Sequence, residues 1–171
     1  IQDKQIVKVS INSKIFEFKV SLIGDFQIKN LFMAVLAAWN SGINQNKIFK
    51  QIHKIKPVTG RLECVIKLKN NSSIIIDFAH TPDALEQSLI ALKKQFKKEI
   101  VIVFGCGGER DKKKRYTMGK IAAKYCRKIY VTDDNPRNEN PKKIRYELSK
   151  YIKKDKTFNI GNRALAIKKA I

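Results

Sequence analysis

Apolar positions in this chain change period near its middle, and that change predicts the architecture. Residues 1–21 alternate. Ile6, Val7, Val9 and Ile11, then Ile15, Phe16, Phe18 and Val20, read as two short strands with Asn12-Ser13 as the turn. A helical period follows over 28–41, with Leu31, Val35, Ala38 and Trp39 on one face and Gly42 as its stop. That face assigns Trp39 to a core. A second helix is expected over 45–54, with His53 solvated among lysines. Pro57 and Gly60 then break the pattern. The expected boundary lies near Lys56, giving domains 1–55 and 56–171.

Beyond the break, strands and helices alternate. Residues 61–68 alternate, Asn70-Asn71-Ser72 turns, and 73–78 form a short apolar strand. Pro82 opens a helix to about Lys94, in the position that suits its missing N–H. A strand at 99–104 leads to a helix over 119–126. A strand at 128–132 leads to a helix from Pro141 to about Lys153. A last strand at 157–160 and a helix from Arg163 complete the order. Such alternation predicts an α/β fold with a mostly parallel, doubly wound sheet.

Composition narrows the class. The hydrophobic share is 43% of 171 residues, enough for a packed core. No apolar run nears the ~20 residues of a membrane span. Cys64, Cys106 and Cys126 are far apart and odd in number, which argues against zinc and disulfides and for a reducing cytosol. The chain starts at Ile1, without methionine or signal-peptide order, so we expect an excerpt of a longer protein. The formal charge is +21. It suggests nucleic acid, but the lysines spread along the whole chain without interleaved aromatics. A solvated, lysine-rich surface is the preferred reading.

Candidate chemistry gathers after the buried strands. DFAHTPDALE follows Ile74-Ile75-Ile76 and carries Asp77, His80 and Asp83. A carboxylate there suits a metal, a ribose hydroxyl or an amine, or simply caps a turn. FGCGGERDKKKR follows 100–103, and Gly105, Gly107 and Gly108 allow close backbone approach. Their spacing fits neither a dinucleotide fingerprint nor a phosphate loop. A tight turn remains open, with Arg110 and Asp111 beside it. TDDNPR follows 129–131. Asp133, Asp134 and Asn135 offer acceptors for an ammonium group, and Arg137 offers a fork for a carboxylate. An Asx-Pro turn explains the same residues without function. Arg61 of GRLE suits a phosphate or a base, or a surface ion pair.

GRLE, DFAHTPDALE, VFGCGGERDKKKR, MGKIA and VTDDNPR occur in an order that resembles the Mur ligases of peptidoglycan synthesis. The likeness runs from about Leu22 onward. It is greatest to the branch adding meso-diaminopimelate to UDP-N-acetylmuramoyl-L-alanyl-D-glutamate. The resemblance implies that 1–55 end the central ATPase domain and that 56–171 form a Rossmann-like C-terminal domain. It implies ATP and Mg2+, an acyl phosphate on the substrate carboxylate, and attack by the incoming amine. It implies a cytoplasmic monomer without nucleic-acid or membrane partners. By matching motif, Asn30, Arg61, Asp77 and His80 correspond to ATP-contacting positions. Arg110, Asp134, Asn135, Pro136 and Arg137 correspond to the diaminopimelate set. Gln27 departs from the family's Asn. The family's GTNGKT and GKGHE motifs are not in this sequence, and neither catalytic nor metal residues are expected here. A fragment inactive by itself is the expectation. Two other classes stay open: a non-catalytic basic module that binds nucleic acid, and a related amide ligase of the folylpolyglutamate or another Mur type.

The charge reading yields a direct test. If the +21 is solvated lysine, DNA binding measured by salt titration vanishes near physiological ionic strength. Tight binding to one DNA sequence at about 200 mM salt would reverse the ranking.

Overall fold

The structure, a computed structural model, describes residues 5–11 and 13–171. The start of the alternating segment (1–4) and Asn12 of the expected turn lie outside the described residues. The chain divides into two compact units, Ile1–Phe78 and Ala79–Ile171.

In the first unit, β1 (Gln5–Ile11) and β2 (Lys14–Val20) pair antiparallel, with Val7 opposite Phe18. One face of this ribbon meets α1 (Asp25–Asn40) and α2 (Gln45–Ile52). Val20, Leu22, Leu31, Val35 and Ile52 are buried there. The Phe49 ring stands edge-on to Phe16 and Phe18, at 5.0 and 5.1 Å between centroids. Asn44 caps α2 by accepting from the Asn46 N–H at 2.9 Å. His53 is exposed, as expected. Trp39 is a correction. It is 38% exposed, because the buried stripe of α1 is carried by Leu31 and Val35. The unit closes with β3 (Glu63–Lys67) and β4 (Ser73–Ile76), an antiparallel hairpin with a register shift between Cys64 and Ile66.

The second unit starts with α3 (Pro82–Phe96). Thr81 caps it by accepting from the Ala84 N–H, and Pro82 sits in the first turn. Then come β5 (Val101–Phe104), α4 (Lys113–Tyr125), β6 (Lys128–Val131), α5 (Pro141–Ser149), β7 (Thr157–Asn159) and α6 (Arg163–Ala170). The three strands form a parallel sheet in the order β5-β6-β7. Helices α3, α4 and α5 pack side by side, while α6 packs on β5 and β6. Leu85, Leu89, Phe104, Met118, Ile129, Val131, Ile144 and Leu148 fill the core.

Two helix limits differ most from the sequence expectation. Helix α5 stops at Ser149, short of Lys153. Helix α4 begins at Lys113, a full six residues before Gly119. The Asp111 carboxylate accepts from the Lys113 N–H at 2.9 Å at that entrance. The early turn escapes apolar periodicity because its inward residue is a charge, Arg115.

Gly119 marks where α4 crosses α5. A methyl group there would collide with the Leu148 carbonyl. Gly119→Ala should therefore destabilise the fold by roughly 1–3 kcal/mol through overpacking, against a helix-propensity gain of about 1 kcal/mol. Urea unfolding checks this, with a lowered midpoint at unchanged slope expected. An unchanged midpoint would mean that the two helices part without cost.

Candidate functional site

Parallel strands deliver the loops that follow them to one end of the sheet. Here those are 105–112, 132–140 and 160–162, after β5, β6 and β7. Their glycines serve contact between the loops. A Cβ on Gly105 would strike the Thr132 carbonyl, and one on Gly108 the Pro136 carbonyl. A Cβ on Gly107 would lie 3.1 Å from Arg137 Nη1. The Gly108 N–H donates to the Asn135 carbonyl at 2.8 Å, and Arg137 Nη1 donates to the Gly108 carbonyl. The glycine-rich loop and the DNPR loop are thus one laminated surface.

Beneath them lies Arg115, with a fully buried side chain. Its Nη1 donates to Glu139 Oε2 at 2.9 Å and to Glu147 Oε2 at 2.8 Å. Its Nη2 donates to Glu139 Oε1 at 2.9 Å and to the Gly107 carbonyl at 3.3 Å. Glu139 also accepts from the Glu109 N–H, and Asn138 Nδ2 donates to Glu109 Oε1 at 2.7 Å. One guanidinium therefore joins α4, α5 and both loops. The bonds from Arg115, then that from the Glu109 N–H, hold the Glu139 carboxyl at about 2. The same carboxylates push the Arg115 guanidinium up. Sequence reading missed all three residues. A signal existed: Arg115 opens an i, i+3, i+4, i+7 stripe with Met118, Gly119 and Ala122, all buried. Glu147 likewise stands among the inward positions Ile144 and Leu148 of α5.

Of the expected amino-acid-binding residues, Asp134 and Asn135 are exposed, and Pro136 is half-buried between them and Arg137. Arg137 is held at φ 48, a left-handed conformation uncommon outside glycine, and its N–H donates to Asn135 Oδ1. Arg110 lies exposed on the neighbouring loop. Asp133 differs from its neighbours. It pairs with Arg145, whose Nε also donates to Asn159 Oδ1 at 2.6 Å, so it ties the loop to β7. Thr132 Oγ1 donates to the Gly161 carbonyl at 3.0 Å, bringing in the third loop. Asp134 and Pro136 border a shallow depression with Cys106, Pro141 and Ile144. Burial pushes the Cys106 thiol up, and that of Cys126 up to about 12; all three cysteines are free.

The expected nucleotide-contacting residues divide between the units. In the first, the Arg61 guanidinium lies over the Phe78 ring at 4.8 Å. The Leu62 N–H donates to Asp77 Oδ1 at 3.1 Å, and the Gly60 N–H donates to Glu63 Oε2 at 2.8 Å. Gln27 Nε2 donates to the Arg61 carbonyl at 3.5 Å. Arg61 and Asp77 are thereby placed together, and Asn30 is exposed one turn beyond Gln27 on α1. A flat, exposed guanidinium backed by an aromatic suits a nucleotide phosphate or base. His80 belongs to the second unit, where its carbonyl accepts from Lys114 Nζ at 3.0 Å. Asp83 is in the first turn of α3. Among the described residues, no three His, Cys, Asp or Glu side chains gather as metal ligands.

Residues 60–171 match the model of the Mur ligase, glutamate ligase domain. The chain is 43% identical over 169 residues to the UDP-N-acetylmuramoyl-L-alanyl-D-glutamate--2,6-diaminopimelate ligase of Rickettsia montanensis, covering 98% of this chain and 34% of that protein. It is 40% identical over 168 residues to the protein of that name from Rhizobium meliloti, again covering 98% and 34%. A solved structure of a ligase of that name superposes with a TM-score of 0.64 at 30% identity, over 97% of this chain and 36% of the other. Folylpolyglutamate synthase of Thermotoga maritima shares the fold, with a TM-score of 0.75 at 21% identity, over 98% and 39%. The chain thus spans about a third of the length of the curated relatives it matches.

The buried ion cluster predicts two behaviours. Arg115→Met leaves Glu147 buried without its cation and should cost roughly 3–5 kcal/mol in chemical unfolding. The second is acid sensitivity. Glu139 has a folded value near 2, below the ~4.3 of an unfolded glutamate. Its stabilising contribution is therefore present above ~4.3 and is lost as pH falls toward 2. Glu139→Gln should flatten the stability profile in that window, measured by unfolding at stepped pH. An unchanged slope would show that Glu139 does not carry the effect.

Proposed function

The chain belongs to the Mur ligase family, and we propose that it is part of an ATP-dependent ligase joining meso-diaminopimelate to UDP-N-acetylmuramoyl-L-alanyl-D-glutamate. One observation carries this reading beyond the names of its relatives. The Asp134-Asn135-Pro136-Arg137 loop is pinned on the glycine-rich loop with its acceptors facing solvent beside a guanidinium. Diaminopimelate presents at its far end an ammonium and a carboxylate, the complement of that pair. Asp134 and Asn135 would accept from the ammonium. Arg137, with Arg110 from the adjoining loop, would meet the carboxylate. Asp133 is excluded from this role by its pairing with Arg145.

On this reading, residues 1–55 close the nucleotide-binding domain and 56–171 hold the amino acid. Asn30, Arg61 and Asp77 would face the nucleotide from the first unit, and His80 is assigned to nucleotide contact by its motif. ATP, when bound, supplies the phosphoryl group that activates the acceptor's carboxylate for amide formation. What these residues add is placement: a bound amine held at one distance and angle reacts far faster than a free one. Magnesium finds no three-ligand cluster among the described residues, and no step here depends on one. The reading places the protein in the cytoplasm as a monomer.

Arg137 supplies the test. In the intact protein, Arg137→Ala should reduce kcat/KM for diaminopimelate by about ten- to a hundredfold, the loss of a charge-assisted pair. Lysine lacks the second carboxylate, so any use of lysine should be unaffected. Arg137→Lys, which keeps a donor near Gly108, should fall between. Equal losses with both amino acids would remove Arg137 from the selection of substrate.

A further inference from the structure

Arg137 and Arg110 stand on two separate loops. The DNPR loop carries a residue at positive φ at Arg137, and the glycine-rich loop carries another at Glu109, φ 51. Both conformations cost energy for side chains with a Cβ and persist only where surroundings enforce them. The enforcing contacts converge on one carboxylate. Glu139, two residues after Arg137, receives both terminal nitrogens of Arg115 and the N–H of Glu109. Lys112 Nζ stands a further 4.0 Å away. Arg115 is anchored from below by Glu147 of α5, whose side chain is 9% exposed. The loop geometry is thus referred, through one guanidinium, to the packed helices.

We propose that the Arg115–Glu139 pair positions the amino-acid-binding surface, setting the distance between the two loops that carry Arg110 and Arg137. This rests on the reading of those loops as the diaminopimelate site. Neither residue touches substrate; both act through Arg137 and the glycine-rich loop. The two glutamates that hold Arg115 are not equivalent. Glu139 belongs to the loop end of the cluster, and Glu147 to the helix end.

That asymmetry separates positioning from plain stability. Glu139→Gln keeps the side chain's shape and loses the charge that holds both arginine nitrogens. In the intact protein it should raise KM for diaminopimelate by about tenfold. The kcat and the KM for ATP should stay within about twofold. Glu147→Gln, matched for loss of thermal stability, should raise the amino-acid KM by clearly less. Arg115→Lys should recover part of what Arg115→Met loses. Equal KM changes in the two glutamine variants, or parallel losses for amino acid and ATP, would overturn the proposal.

A second measurement needs no substrate. The Gly108 N–H is bonded to the Asn135 carbonyl and not to Glu139. Its hydrogen exchange should accelerate about tenfold in Glu139→Gln, with amides of β5 and β6 unchanged. No acceleration would sink the positioning role. If the wild-type protein ignores diaminopimelate while the exchange result holds, the assigned amino acid is wrong and the loop device stands.

Discussion

A guanidinium with no exposed surface governs the end of the parallel sheet where the loops gather. Arg115 cannot be neutralised at any ordinary pH, so burying it obliges the surroundings to supply anions. Two carboxylates, Glu139 and Glu147, do so, and the Gly107 carbonyl adds a neutral acceptor, while Nε is left without one. They come from a loop, a helix and the glycine-rich turn, and pairing with the terminal nitrogens of the cation ties all three together. Oil-like packing would not discriminate between nearby loop positions. Hydrogen bonds of defined direction do.

The glycines belong to the same design. Gly105 and Gly108 let backbone approach backbone where any side chain would collide. Gly119 lets α4 settle against α5, bringing Arg115 under the loops and within reach of Glu147. Rigid parallel strands deliver the loops, close helix packing sets the depth of the cation, and the cation sets the loops. The exposed Asp134, Asn135 and Arg137 then present to solvent on a foundation that is not itself at the surface.

Membership of the Mur ligase family and the folylpolyglutamate-synthase-like fold agree with this arrangement. A fold by itself does not fix a function, which depends on the side chains placed on it. The relatives at 40–43% identity show the family, and the solved structure at 21% shows the fold.

Much of this was legible in the order of residues. Period, turn residues and caps located every strand of the parallel sheet and every helix to within a few positions, except the start of α4. Those signals are local, and a local signal survives in sequence. The motifs DFAH, GCGGERD and DDNPR marked the loops after apolar strands. Other features depended on tertiary contact. Asp133 and Asp134 are chemically identical in sequence, yet one is spent on Arg145 and the other faces solvent. Trp39 looked like core and proved exposed, the buried stripe of α1 being carried by Leu31 and Val35. Arg115 was one of five basic residues in a run of seven, ERDKKKR, and only its burial against carboxylates 24 and 32 residues away distinguishes it. Periodicity shows which side of a helix points inward, but not which distant charge will be waiting there.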